Sequence, residues 1–142
     1  MIMLAPTHDM QPGLSVVVPC FQEEAAVRGT VEQIDRVLTT LECDSEMIVV
    51  NDGSGDGTGP LLDQLARQYS RLRVLHNHAN CGYGASLKRG ISEARYDRII
   101  ITDADGTVRT LADRYQGKRF NSPNDLAIDP KGDLGNLALT VP

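Results

Sequence analysis

The chain predicts an α/β fold: three αβα layers built on a short parallel sheet of strand order 3-2-1-4. Three observations carry this. Four short apolar runs, LSVVVP, MIVV, LRVLH and RIIIT, alternate with three segments of helical period. Every run leads into an unusual loop: PCFQEE, NDGSGDGTG, NHANCGYG and DADG. The resulting βαβαβαβ order favours parallel strands, right-handed crossovers and helices on both faces.

Residues 1–13 hold Pro6, Pro12 and Gly13 without periodicity and are expected to form a flexible leader. From Leu14 the continuous apolar run that ends at Pro19 suits a strand buried on both faces. Glu23 and Glu24 are expected to open the first helix, where their charge suits its positive end. Val27, Val31, Ile34, Leu38 and Leu41 then mark one apolar face. Met47 to Val50 is the second strand, and the four glycines between Asn51 and Pro60 mean tight turns. Pro60 suits a first helical turn, with Leu61, Leu62, Leu65 and Tyr69 as the buried stripe. Leu72 to His76 is the third strand, Ala85 to Ala94 the third helix through Leu87 and Ile91, and Arg98 to Thr102 the fourth strand.

Composition narrows the function. The 142 residues leave room for one domain, and 41% hydrophobic with 23% charged content is ordinary for a globular protein. A net charge of −5 offers no basic stripe for phosphate backbones, so no nucleic-acid partner is expected. No apolar run reaches the length of a membrane helix and no signal peptide precedes the fold, which points to a cytoplasmic protein, at most peripheral to a membrane. Cys20, Cys43 and Cys81 are odd in number and lack Cys-x-x-Cys spacing, as expected of reduced, buried thiols. His76 and His78 read as ordinary strand-end histidines, and Lys88 as a solvated helix residue.

The candidate chemistry lies where the fourth strand runs into Asp103-Ala104-Asp105. Carboxylates at a strand end need water, a basic partner or a divalent cation, and hard oxygen donors favour Mg²⁺, Mn²⁺ or Ca²⁺ over zinc. The same spacing also suits a solvated loop or a helix cap. In sheets of this order ligands collect beyond the carboxyl ends of the strands, at the switch point between the first and fourth. PCFQEE and DADG would face each other there. Asp52 before Gly53 reads equally well as a turn residue, and Asp56 as a cap on the following helix.

VVVPCFQEE, IVVNDGSGDGTG, NHANCGYGASLKRGI and IIITDADG together resemble the N-terminal half of a family 2 glycosyltransferase of the GT-A fold, most like polyprenyl-phosphate and dolichyl-phosphate sugar transferases, over residues 14–107. The resemblance implies a site for a nucleoside-diphosphate sugar, UDP- or GDP-linked, with Mg²⁺ or Mn²⁺ as cofactor and a lipid-phosphate acceptor. It implies that Pro19, Phe21 and Glu23 line the base and ribose and that Asp52 bonds the base. Gly53, Ser54 and Gly82 join that site, and Asp103 and Asp105 hold the nucleoside and the metal. Gln22 stands where the family usually has Asn. The resemblance assigns no catalytic base and implies an acceptor half beyond these residues.

From Val108 the text changes. GKRFNSPNDLAIDPKGDL resembles part of one blade of the gluconolactonase and regucalcin propellers, and residues 108–142 carry five basic and four acidic residues with no Glu. A foreign, irregular or hairpin tail is expected there. Leu126–Ile128 and Leu137–Val141 are its candidate strands, while Asn121, Pro123, Asn124 and Asp125 read as turn chemistry rather than a lactone site. A lactone hydrolase fragment and a non-enzymatic half-domain that self-associates through open sheet edges are the alternatives to nucleotide-sugar binding.

Overall fold

In the computed structural model, residues 11–104 are described in full, and residues 108–113 as backbone strand. The elements are β1 (Gln11–Cys20), α1 (Val27–Thr40), β2 (Ser45–Asn51), α2 (Thr58–Gln68), β3 (Leu72–His76), α3 (Tyr83–Glu93), β4 (Tyr96–Thr102) and β5 (Val108–Asp113). The sheet order is β3-β2-β1-β4-β5. β1 pairs in parallel with both β2 and β4, and β2 with β3, so the predicted 3-2-1-4 core is present.

The apolar runs are continuous because the strands are covered on both faces. Val16, Val18, Met47 and Val49 point into one core with Val27, Val31, Leu38, Leu62 and Leu65 from α1 and α2. Val17, Ile48, Val50, Ile99 and Ile101 point the other way, onto Leu87 and Ile91 of α3. Alternate residues of one strand thus serve opposite layers. The chain steps outward from β1 to β3 and returns through α3 to β4, which leaves the switch point between β1 and β4.

At the opposite end of the strands, Glu46 is fully buried. One carboxylate oxygen accepts from the Ser15 hydroxyl at 2.7 Å and the Arg95 N–H at 2.8 Å; the other accepts from the Arg73 and Arg95 guanidinium groups at 3.1 and 3.0 Å. Burial alone would raise its pKa, but these donors outweigh burial and hold the carboxyl below its usual range. One side chain therefore ties β1, β2, β3 and the start of β4 together.

Several expected boundaries shift. β1 begins at Gln11 and takes in the last three residues of the expected leader. α1 begins at Val27 rather than Glu23, because the Glu23 carbonyl accepts from the Ala26 and Val27 N–H groups in a preceding turn. Glu24 reaches away, and its carboxylate accepts from the Gly57 N–H at 2.9 Å just ahead of α2. Leu41, expected on the buried face of α1, is 38% exposed and follows the last helical residue. α3 starts two residues earlier than expected, at Tyr83.

The sheet also continues past the seam expected near Thr107 and Val108. β5 pairs antiparallel with β4, Ile100 opposite Leu111, and so satisfies backbone groups that a four-stranded sheet leaves open on that side. The expected tail strands and the turn around Asn124 lie outside the described residues. Among the described residues no helix is long and apolar enough to cross a membrane.

Candidate functional site

The carboxyl ends of β1, β2 and β4 open onto a cavity of about 480 Å³, within the range of small-molecule sites. Pro19, Phe21, Glu23, Asp52, Gly82 and Asp103 all line it, so six of the residues singled out from the sequence share one space. Asp105 lies outside the described residues. Gly53 and Ser54 do not reach the lining and act behind it. Gly53 has φ +70°, and a Cβ there would fall 2.5 Å from the Ala79 carbonyl carbon and the Asn80 nitrogen, so this close approach requires glycine. The Ser54 hydroxyl accepts from the Gln22 N–H at 2.9 Å, joining the loop after β2 to the loop after β1.

Gln22 is the one non-glycine among the described residues with positive φ, at +52°. Left-handed backbone at a long side chain costs about 1 kcal/mol or more, whereas the short polar side chain of Asn tolerates it. The Ser54 bond holds this conformation, which turns Phe21 and Glu23 onto the cavity. Phe21 is 44% exposed there, as a large apolar ring at the rim of a pocket. Tyr83, on the same lining, is 47% exposed. Tyr83, Asn80, Ser86 and Cys20 were not among the residues predicted. Tyr83 sits in the predicted NHANCGYG loop, so its aromatic type beside glycine was the available signal.

Asp52 is 4% exposed, and its carboxylate is fully engaged. One oxygen accepts from Asn77 Nδ2 at 2.9 Å and the Cys81 N–H at 2.7 Å, the other from the Gly82 N–H at 2.9 Å. Burial pushes its pKa up, but these bonds, with Ser86, more than reverse this and hold it below the usual range. Asp52 therefore fastens the loop between β3 and α3 at the point where α3 begins. A carboxylate near the positive end of a helix is further favoured by the helix dipole.

Behind this loop, Asn51 Oδ1 accepts from the Ser54 N–H at 3.2 Å, which turns Asn51 Nδ2 toward His76 Nδ1 at 3.0 Å. That ring nitrogen accepts, leaving the proton on Nε2 to face Asp63 Oδ1 at 2.8 Å. His76 is thus a structural strand-end histidine, as its position suggested. Asp56 accepts from the Thr58 hydroxyl at 2.5 Å and the Thr58 N–H at 3.0 Å at the start of α2, and the hydroxyl bond chiefly holds its carboxyl below the usual range. Cys20 lines the cavity as a thiol: burial, then the charges of Glu23 and Asp56, push its pKa up to about 12. It is no nucleophile near neutral pH.

The lining carries three carboxylates, Glu23, Asp52 and Asp103, and no Lys or Arg among the described residues. No group of three or more His, Cys, Asp or Glu side chains able to hold a metal ion forms among the described residues. Mg²⁺ and Mn²⁺ do not need one, since they take one or two carboxylates and complete their shell with water and ligand phosphates. Oxygen donors at the open mouth of a cavity fit such an ion and not a closed zinc site.

The sequence model of glycosyl transferase family 2 matches residues 15–130. The chain belongs to that family. The family 2 match runs through the expected seam and into the block resembling a propeller blade, for which it gives no support. Among curated relatives, the chain is 33% identical over 107 residues to the probable glycosyltransferase YdaM of Bacillus subtilis, covering 73% of this chain and 25% of that one. It is 30% identical over 101 residues to the dolichyl-phosphate beta-glucosyltransferase ALG5A of Trichomonas vaginalis, covering 68% and 31%. The chain therefore spans between a quarter and a third of the length of these two relatives. A solved mannosyltransferase of Pyrobaculum calidifontis, in complex with GDP-Man and Mn²⁺, superposes with a TM-score of 0.57 at 22% identity, covering 68% of this chain and 30% of that one. That likeness shows the fold.

Proposed function

We propose that residues 14–107 form the donor half of a family 2 glycosyltransferase, binding a UDP- or GDP-linked sugar with Mg²⁺ or Mn²⁺ for transfer of a hexose to a polyprenyl-phosphate type of acceptor. The observation that carries this reading is an acidic cavity at the switch point, lined by Glu23, Asp52 and Asp103 without a basic residue among the described ones. Such a cavity takes up a diphosphate only together with a cation. Its size suits a nucleoside, and Phe21 offers a face on which a base can stack. Pro19, Phe21 and Glu23 would hold base and ribose, with Asp52 and Gly82 framing the far wall. Asp103 and Asp105 would hold the ion. When bound, the ion would neutralise charge on the leaving diphosphate.

The solved neighbour with GDP-Man and Mn²⁺ supports the donor class, and the dolichyl-phosphate relative supports the acceptor class. The test is thermal melting with and without Mn²⁺ and UDP or GDP. Ligand at a hundred times its Kd adds about 2.7 kcal/mol, which raises Tm by roughly 10 °C in a domain of this size. The shift is expected only with ion and nucleotide together, and Asp103→Asn should abolish it. A cooperatively melting protein that ignores every combination of Mn²⁺ with UDP or GDP refutes the proposal.

A further inference from the structure

Asn51 ends β2 and is 5% exposed, so its amide has to find its partners inside the protein. Its Nδ2 donates to His76 Nδ1 at 3.0 Å, and its Oδ1 accepts from the Ser54 N–H at 3.2 Å. A Cβ on Gly59 would stand 3.1 Å from Asn51 Nδ2 and 3.8 Å from His76 Cε1, so the first turn of α2 closes over the pair. The Ser54 hydroxyl in turn accepts from the Gln22 N–H at 2.9 Å, where backbone at φ +52° turns Phe21 and Glu23 onto the cavity. His76, Asn51, Ser54 and Gln22 thus form one series of hydrogen bonds from the end of β3 to the cavity rim.

The charge of His76 decides whether that series can form. A neutral ring with its proton on Nε2, facing Asp63 Oδ1 at 2.8 Å, offers Nδ1 as an acceptor. A second proton turns Nδ1 into a donor, which then meets the Asn51 NH₂ donor to donor. Turning the amide over relieves that clash, but sets the NH₂ against the Ser54 N–H and takes its acceptor away. The groups that face His76 are Asn51 from β2, Asp63 from α2, opposite in charge to a protonated ring, and Arg89 from α3, which shares its sign and donates to the His76 carbonyl at 2.7 Å. His78 lies two residues on.

We propose that Asn51 and His76 are positioning residues for the cavity: the neutral ring orients the Asn51 amide, and the amide holds the turn from which Ser54 fixes Phe21 and Glu23 for a nucleotide sugar. This rests on the reading of the cavity as a nucleotide-sugar site. Protonation of His76 then loosens the rim, and affinity falls on acidification through the range of about pH 8 to 5 in which imidazoles ordinarily titrate. The loss of one ordinary hydrogen bond sets the size of the fall at about three- to tenfold.

The test begins without ligand, following the amide and imidazole signals of the isotope-labelled full chain by NMR as the pH is lowered. In wild type the Ser54 and Gln22 amide signals are expected to move with the midpoint of the His76 ring. In His76→Phe, which has no proton to gain, they should stay still. His78 remains in that variant, so a shift that persists there overturns the proposal, as do wild-type amide signals that ignore His76. Calorimetric titration with Mn²⁺ and either UDP-glucose or GDP-mannose, in which neither phosphate keeps a second ionisable proton, then reads affinity. Wild type should bind about three- to tenfold more weakly at about pH 5.5 than at about pH 8. His76→Phe should lose that dependence, and so should Asn51→Asp, whose two acceptor oxygens serve Ser54 and a charged ring together. A fall as large in both variants as in wild type overturns the proposal and leaves the donor-site reading intact. Wild-type amides that follow His76 in a protein that binds neither nucleotide sugar overturn the donor-site reading alone.

Discussion

Replacing Asp52 with Asn separates the role its geometry gives it from that of a simple turn residue. In its best pose the amide oxygen takes the place that accepts from Asn77 and Cys81, and the NH₂ then faces the Gly82 N–H. One hydrogen bond to a charged acceptor is lost and two donors are set against each other. Bonds of that kind contribute about 1.5–3 kcal/mol, and Gly82 borders the cavity, where water relieves part of the loss. A cost of about 2 kcal/mol lowers Tm by roughly 7 °C in a domain of this size. Asp52→Ala loses all three bonds and should cost more, though less than three times as much, because they share one carboxylate. Far-UV circular dichroism melts at pH 7 measure both. The pH dependence supplies a second signature. Asp52 titrates below its unfolded value, so its contribution is fully present above the ordinary carboxylate pKa of about 3.9 and is lost as pH falls through the lower folded value. The gap between wild type and Asp52→Asn should therefore narrow on acidification below about pH 4. An Asn variant melting within about 2 °C of wild type at pH 7 would refute the anchoring role.

Glu46→Gln should cost about 2–3 kcal/mol, below the range for a wholly buried ion pair because Arg73 and Arg95 are partly exposed and rehydrate. Its folded pKa is also lowered, so this contribution too is present above the unfolded value and disappears toward low pH; an unchanged urea midpoint at pH 7 would contradict the network. Gly90→Ala should destabilise by roughly 1–3 kcal/mol despite the helix propensity it gains, because the new Cβ would run into Val17 Cγ1 and stand 3.2 Å from Val50 Cγ2. A raised urea midpoint for that variant would mean that α3 does not lie this close to β1.

What was legible in the chain was whatever depends on neighbours in sequence. Val16 to Val18 and Ile48 to Val50 read as strands because both faces are covered, and the spacing of Val27, Val31 and Leu38 read as a helix because its period is local. The cavity lining followed from topology, since order 3-2-1-4 forces the ends of β1 and β4 together. Glu46 was not legible: its partners lie 27 to 49 residues away, and nothing nearby distinguishes it from a solvated glutamate at a strand start. Glu24 misled for the same reason, because a carboxylate beside one helix start bonds the approach to another. β5 was hidden by a shift of composition, while the open side of β4 accepts whatever backbone pairs with it.

Asp52 belongs to neither group, and it sharpens the electrostatics of the cavity. Its hydrogen bonds keep it ionised across the neutral range, so burial does not remove its charge. The site is thus built with negative charge that it does not discharge by protonation there. A diphosphate arriving alone would meet unfavourable pairs of roughly 2 kcal/mol each at separations near 8 Å and an effective dielectric of about 20. A divalent cation reverses the sign of the net interaction, because it attracts the carboxylates and the phosphates together. The Asp52 bonds also hold the loop that carries Gly82 and Tyr83 to the lining. The same carboxylate therefore shapes the cavity and, on the proposed reading, favours a cation beside a bound diphosphate, and exchanging it for a neutral residue of equal size should weaken both at once.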